Sequence, residues 1–199
     1  QTIGPFDGVL DRLYARASLS RVAMITLRDH TTSRRRLESI DVNGPMIVDT
    51  ADDALSIHVL NREDAKRLLA ESVSCGWNNR RTDLMVALNL KGSLRTFKGI
   101  GRNRSLEKEI KLMARIADAL IEIFGAKILF VPTDYCPGVE DRPIHRAVVQ
   151  QLRNREAAAC VEAEYDFVQL SGLISLADFA IGARYHFAVF AARTLVPFV

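Results

Sequence analysis

An α/β fold built on parallel strands is what this sequence predicts, and three observations carry the prediction. Short runs that are apolar throughout alternate with segments of helical period. Strands of that kind are buried on both faces, which requires a parallel sheet with helices on each side. Gly, Pro, Asn and Asp cluster between the runs, and no repeat or low-complexity tract interrupts the rhythm.

The chain opens on QTIGPF, with no methionine and already inside a strand-then-turn pattern. RVAMITLRD (Arg21–Asp29) reads as a buried strand, and PMIVD (Pro45–Asp49) as another after the turn signal Asn43-Gly44-Pro45. NREDAKRLLAES (Asn61–Ser72) predicts a helix, with Asn61 as N-cap and acidic residues in the first turn, where the helix dipole favours them. CGWNNRRTD (Cys75–Asp83) is polar and contains glycine, which makes it the candidate domain boundary. Residues 1–75 are then the remainder of an N-terminal α/β domain, incomplete in this chain, and residues 80–199 a C-terminal domain.

Past that boundary the alternation is regular. LMVALNL (Leu84–Leu90) is a strand. SLEKEIKLMARIADALIEIFG is a helix with Ser105 as N-cap, an apolar stripe of Leu106, Ile110, Met113, Ala117, Leu120 and Phe124, and Gly125 as its stop. KILFVP is the next strand, and DRPIHRAVVQQLRN a helix with Pro143 near its start. AAACVEA is strand-like, FVQLSGLISLA helical, DFAIGA a strand, RYHFAVFAAR a short helix and LVPFV a last strand. This part is therefore Rossmann-like, with Leu84–Leu90, Lys127–Val131, Phe179–Ile181 and Val196–Val199 expected in one parallel sheet. LVPFV stops on a strand, so the chain is expected to be an internal piece of a longer protein.

Composition excludes some classes. Of 199 residues 48% are hydrophobic, enough for a sizeable core in one large or two small domains. A net charge of +3 is too small to argue for a nucleic-acid partner, and Arg34-Arg35-Arg36 reads as a solvated helix face. Cys75, Cys136 and Cys160 fit neither a zinc spacing nor a paired disulfide framework, which points to a reducing compartment. No apolar run reaches the roughly 18 residues of a membrane span, and no signal peptide is visible.

The candidate site lies in ADFAIGARYHFAVFAARTLVPFV, where Arg184 and His186 stand between two apolar runs. They fall at the carboxyl end of a strand, in the turn that opens a helix, where unpaired N–H groups favour an anion. Arginine adds a fork of donors suited to carboxylate or phosphate, and histidine a proton donor or acceptor near neutral pH. The alternative is structural, with Arg184 covering a helix side and His186 a hydrogen-bonded core histidine.

That stretch resembles the signature of the polysaccharide pyruvyl transferases: an apolar strand, Gly-x-Arg-x-His, an Ala-rich helix and a Val-Pro strand. QTIGPF, MITLRDHTTSRRRLESI and KILFVPTDYCPGVEDRPIHRAVVQQL resemble three further elements of the family in the same order. Two departures stand out. The family's N-terminal Gly/Asn/Asp-rich turn is absent, and Lys91 stands where the family often has an arginine.

The resemblance implies two Rossmann-like domains in the GT-B arrangement of glycosyltransferases, with the active site in the cleft between them. It implies transfer of the enolpyruvyl unit of phosphoenolpyruvate onto sugar hydroxyls, commonly as a ketal, with no cofactor beyond that donor. His186 and Arg184 are then the catalytic residues, and Arg184, Lys91, Arg28 and Tyr135 bind substrate, Tyr135 as a stacking surface for a sugar. Arg28 would reach the donor with Asp29 orienting it, or else form a structural Arg–Asp pair. Asp49, Asp52 and Asp53 read as a surface loop, or else include a residue that matches an Asp-x-Ala element of the family. Asp134, Glu140, Asp141 and His145 read as helix caps and dipole partners, so no metal is expected. The expected partners are phosphoenolpyruvate and a saccharide acceptor, free or lipid-linked, with or without peripheral association with a membrane. The expected location is cytoplasmic or at the inner face of the membrane. Two other readings stay open: a nucleotide-sugar glycosyltransferase of the same architecture, and a non-catalytic glycan-binding or scaffold module.

Overall fold

The structure, a computed structural model, describes residues 3–73, 77, 84–91 and 102–199, with side chains from residue 106 onward in the last stretch. The chain forms two compact units, Gln1–Ser56 and Ile57–Val199. They divide ahead of the 75–83 stretch that the sequence suggests as a boundary, which apart from Trp77 lies outside the described residues.

In the first unit, helix α1 (Val9–Leu19) leads to strand β1 (Met24–Leu27), helix α2 (His30–Ser39) and strand β2 (Met46–Asp49). The two strands are parallel, Met24 opposite Met46 and Leu27 opposite Asp49. A small core gathers Ala15, Ile25, Leu27, Leu37, Ile40 and Val42. The expected fully buried strand is instead one-sided: Ile25 and Leu27 are buried, whereas Met24 and Thr26 are exposed. Helix α1 has no counterpart in the sequence reading. Its N-cap is Gly8, which has no side chain to signal a start, and Val9, Leu10, Leu13 and Tyr14 are all exposed. Asp11 closes the helix start by accepting the Gly8 N–H at 3.2 Å.

The second unit begins with helix α3 (Arg62–Ser72), where Asn61 Oδ1 accepts the N–H groups of Glu63 and Asp64 at 3.1 and 3.0 Å, as its sequence position predicts. Its docking explains why it belongs here: Ser72 Oγ lies 2.8 Å from the Tyr165 hydroxyl. Strand β3 (Met85–Asn89) follows, buried at every position. Then come α4 (Arg102–Phe124), β4 (Lys127–Phe130), α5 (Arg142–Gln151), β5 (Ala158–Cys160), α6 (Phe167–Ile174), β6 (Phe179–Gly182) and α7 (Tyr185–Arg193). Helix α4 starts at Arg102, ahead of the expected cap Ser105, whose side chain is outside those described. It stops at Gly125, whose φ of +64° suits a residue without a Cβ. The buried stripe runs through Ile110, Ala114, Ala117 and Ile121, while Phe124, expected in it, is exposed at the helix end.

The sheet is parallel throughout, in the order β5-β4-β3-β6. Phe198 extends it beside Ala180 by a parallel bridge, so the four expected strand segments share one sheet. Val86 and Leu88, with Ile128 and Phe130, pack on Ala117, Ile144 and Val148 of α4 and α5. Met85, Ala87 and Leu129, of opposite parity, are equally buried, as are Leu170, Leu173, Phe187 and Phe190 of α6 and α7. Both faces are covered, as continuous apolar strands require. Chain order runs outward from β3 through β4 to β5, then returns across β3 to β6. The switch point of this doubly wound sheet therefore lies between β3 and β6.

Candidate active site

At the switch point the register sets Asn89 beside Gly182, and the Ala183 N–H donates to the Asn89 carbonyl at 3.2 Å. The chain leaving β6 therefore starts out beside the end of β3. Gly182 is needed here for closeness and not for a special turn: a Cβ on it would lie 2.2 Å from Phe187 Cδ1. Phe187, Phe190 and Ala191 seat α7 on the sheet, whereas Ala192 is exposed and takes no part.

Arg184 occupies the N-cap position of α7 in extended conformation, and its side chain does not cap the helix. Its Nε and Nη2 donate to Asp141 Oδ1 at 3.0 and 2.7 Å, and Nη2 donates to the Val139 carbonyl at 2.6 Å. Nη1 lies 3.1 Å from Asp134 Oδ2. Both carboxylates belong to the segment that joins β4 to α5, so the pairing stays at the carboxyl edge of the sheet. Arg184 is thus paired on both sides of its guanidinium, by Asp141 and by Asp134.

Asp141 is the centre of this cluster. Its Oδ2 accepts the N–H groups of Thr133 and Asp134 at 3.1 and 3.2 Å and the Asn89 amide at 3.3 Å. The Asn89 amide also donates to the Val131 carbonyl at 2.9 Å. Beside it, His145 Nε2 accepts the Leu90 N–H at 3.0 Å, and its ring lies 5.4 Å from that of Phe130. Burial pushes the His145 imidazole down to about 4, against the opposing pull of Asp141, so it is neutral near pH 7. Asp134, Glu140, Asp141 and His145 thus all have structural partners, Glu140 through an ion pair with Arg142. Among the described residues no group of His, Cys, Asp and Glu could hold a metal ion.

His186, in the first turn of α7, is half-buried. Its ring stacks on Phe167 at 6.0 Å, lies 6.2 Å from Phe190 and meets Tyr185 edge-on at 5.4 Å. These contacts orient the ring without sealing it in the core. Lys91 is exposed at the exit of β3. Tyr135 follows β4, but Arg142 lies 5.2 Å over its ring and its hydroxyl accepts the Tyr165 N–H at 3.3 Å. Desolvation pushes that phenol up to about 12. One face of its ring is thus covered by the Arg142 guanidinium.

Arg28 lies in the first unit, ion-paired to Asp52, whose Oδ1 also accepts the Ala54 N–H at 2.9 Å. Asp29 is not its partner; it caps α2 by accepting the Thr32 N–H at 3.0 Å. Asp49 takes the Arg34 guanidinium on both oxygens at 2.9 Å.

Sequence reasoning placed Arg184, His186 and Lys91 at one sheet edge and missed Asn89 as their neighbour. A signal was present, since Asn89 is a polar residue at the last position of an otherwise apolar strand, where it must find partners. Among the described residues no helix is long and apolar enough to cross a membrane. Neither the curated proteins nor the solved structures contain a match to the chain. A family model does match it, that of polysaccharide pyruvyl transferase, over residues 1–199.

Proposed function

The chain belongs to the polysaccharide pyruvyl transferase family, and from that premise we propose that it moves the pyruvyl unit of phosphoenolpyruvate onto two hydroxyls of a saccharide, forming a ketal. The observation that carries this reading is the placement of Arg184 and His186 in the turn from β6 into α7, at the switch point of the sheet. A helix N-terminus, Lys91 and the guanidinium suit a donor that bears both a carboxylate and a phosphate. Arg184 would take one of these anions on its Nη1 side, where Asp134 stands in this structure.

In the reaction, His186 delivers a proton to the donor methylene, and the adjacent carbon gains oxocarbenium character. One sugar hydroxyl adds to that carbon and a second displaces phosphate. Of the two hydroxyl protons, one balances the new methyl group and the other leaves with the phosphate. The aromatic contacts of His186 would fix its ring toward the reacting carbon. On the resemblance, a GT-B fold and a donor-binding role for Arg28 belong to this reading. Because phosphoenolpyruvate is made in the cytosol, transfer would occur there or at the inner membrane face, on a free or lipid-linked saccharide. A nucleotide-sugar site would call for an acidic side chain on α7 itself to hold the ribose, and Gly182 to Val199 contains no Asp or Glu.

The test is to incubate the protein with phosphoenolpyruvate and a panel of glycosides, following inorganic phosphate and the ketal methyl resonance. Phosphate release that requires an acceptor and yields the methyl signal is expected. Turnover of UDP- or GDP-sugars instead, or no acceptor-dependent release, would sink the reading.

A further inference from the structure

Asp141 stands at the N-cap position of α5 and yet does not cap that helix. Asp29, Asn61 and Asp166, at the same position of α2, α3 and α6, each accept N–H groups from their own first turn. The Asp141 side chain is 0% exposed and turns to the carboxyl edge of the sheet. Its donors come from the end of β3 (Asn89), from the segment after β4 (Thr133 and Asp134) and from the turn after β6 (Arg184). These are the two strands that flank the switch point and their neighbour. A buried carboxylate is costly unless its partners are in place, and helix α5 has no use for this one.

We propose that Asp141 is a positioning residue for the transfer reaction. It fixes Arg184 by the Nε–Nη2 side, and so sets both the Nη1 side and the first turn of α7 toward the donor. Asp134 is bound to the same guanidinium differently, through Nη1 at 3.1 Å and with 26% of its side chain exposed. On binding, the donor anion replaces Asp134, while Asp141 stays. This inference rests on the reading of Arg184 as a donor-binding residue.

Two variants test it: Asp141→Asn keeps the shape and loses the charge, and Arg184→Lys keeps the charge and loses the fork. Hydrogen–deuterium exchange of the peptide spanning 183–187 and steady-state kinetics with phosphoenolpyruvate are read on both. Exchange at 183–187 is expected to rise at least about fivefold while helix α4 keeps its parental rate. In Asp141→Asn, turnover, kcat, should fall at least about tenfold with the donor KM within about threefold, the signature of lost alignment at the transition state, whereas Arg184→Lys should also raise the donor KM. The double variant should be no worse than the poorer single one, because both changes act through one pair. Parental exchange at 183–187, kcat within about twofold of parental, or losses that multiply in the double variant would overturn the proposal. Where Asp141→Asn fails to fold by circular dichroism, Arg184→Lys alone decides, and unaltered exchange there overturns it. A parental protein that releases no phosphate from phosphoenolpyruvate defeats the proposed function; the exchange data then still decide whether Asp141 fixes Arg184.

Discussion

His145 reaches from α5 to the exit of β3, where its Nε2 accepts the backbone N–H of Leu90 at 3.0 Å. Only the neutral imidazole can do this while its second nitrogen, Nδ1, stays buried without a partner among the described residues.

A pH dependence of stability follows. Burial depresses the His145 pKa from 6.5 to about 4, so the unfolded chain binds this proton first as pH falls. The sign is therefore loss of stability on acidification between about pH 6.5 and 4, on the order of 3 kcal/mol for this group when complete. Urea unfolding followed by circular dichroism at neutral and mildly acid pH should show the slope, and His145→Gln should flatten it. A variant that keeps the parental slope would assign the effect to other groups.

Gly182→Ala should damage the second unit more than Gly125→Ala does. The first places a methyl 2.2 Å from the Phe187 ring, whereas the second has nothing within 4 Å and bears only the strain of a φ of +64°. Overpacking of the former kind costs roughly 1–3 kcal/mol and more where the neighbour cannot move. Adding Phe187→Leu should recover part of the loss in thermal unfolding; no recovery would place the cost in the backbone.

Alkylation should separate the cysteines. Cys136 is exposed and Cys160 is partly buried, with desolvation pushing its thiol up to about 12. At about pH 8 iodoacetamide should modify Cys136 at least tenfold faster, read by peptide mass spectrometry, since the thiolate is the reactive form. Equal rates would mean that the segment around β5 opens readily.

Kinetics should split Lys91 from His186. Lys91→Ala is expected to raise the donor KM about tenfold with little change in kcat, as a charge that binds ground state and transition state alike would do. His186→Gln should lower kcat by roughly 100-fold or more, within the range for a proton-transferring group. A His186 variant with near-parental turnover would remove it from the chemistry.

Much of the second unit could be read from the sequence because its strands are apolar on both faces and its helices have local start and stop signals, such as Asn61 and Gly125. The first unit was less legible. Helix α1 begins at a glycine and exposes Val9, Leu10, Leu13 and Tyr14, so neither a cap nor a buried stripe marks it. At the site, Arg184 and His186 stood out as polar residues between apolar runs. Their partners did not, because Asp134 and Asp141 come near Arg184 only through the placement of β4 next to β3. Local pattern reports which residues need partners; it does not report which distant segment provides them.

The strand order also bears on how the polypeptide acquires its fold as it is synthesised. Val86 of the central strand pairs with Ile128 on one side but with Phe179 on the other, so one of its edges stays open until a late segment emerges. Before that, β3 presents unpaired N–H and C=O groups and apolar side chains, the features that invite association with other nascent chains. Pairings between such distant segments are slow to form. The arrangement that brings Arg184 beside Asn89 thus makes the site one of the last parts of the second unit to be completed, and dilution or chaperone capture during translation should decide its yield.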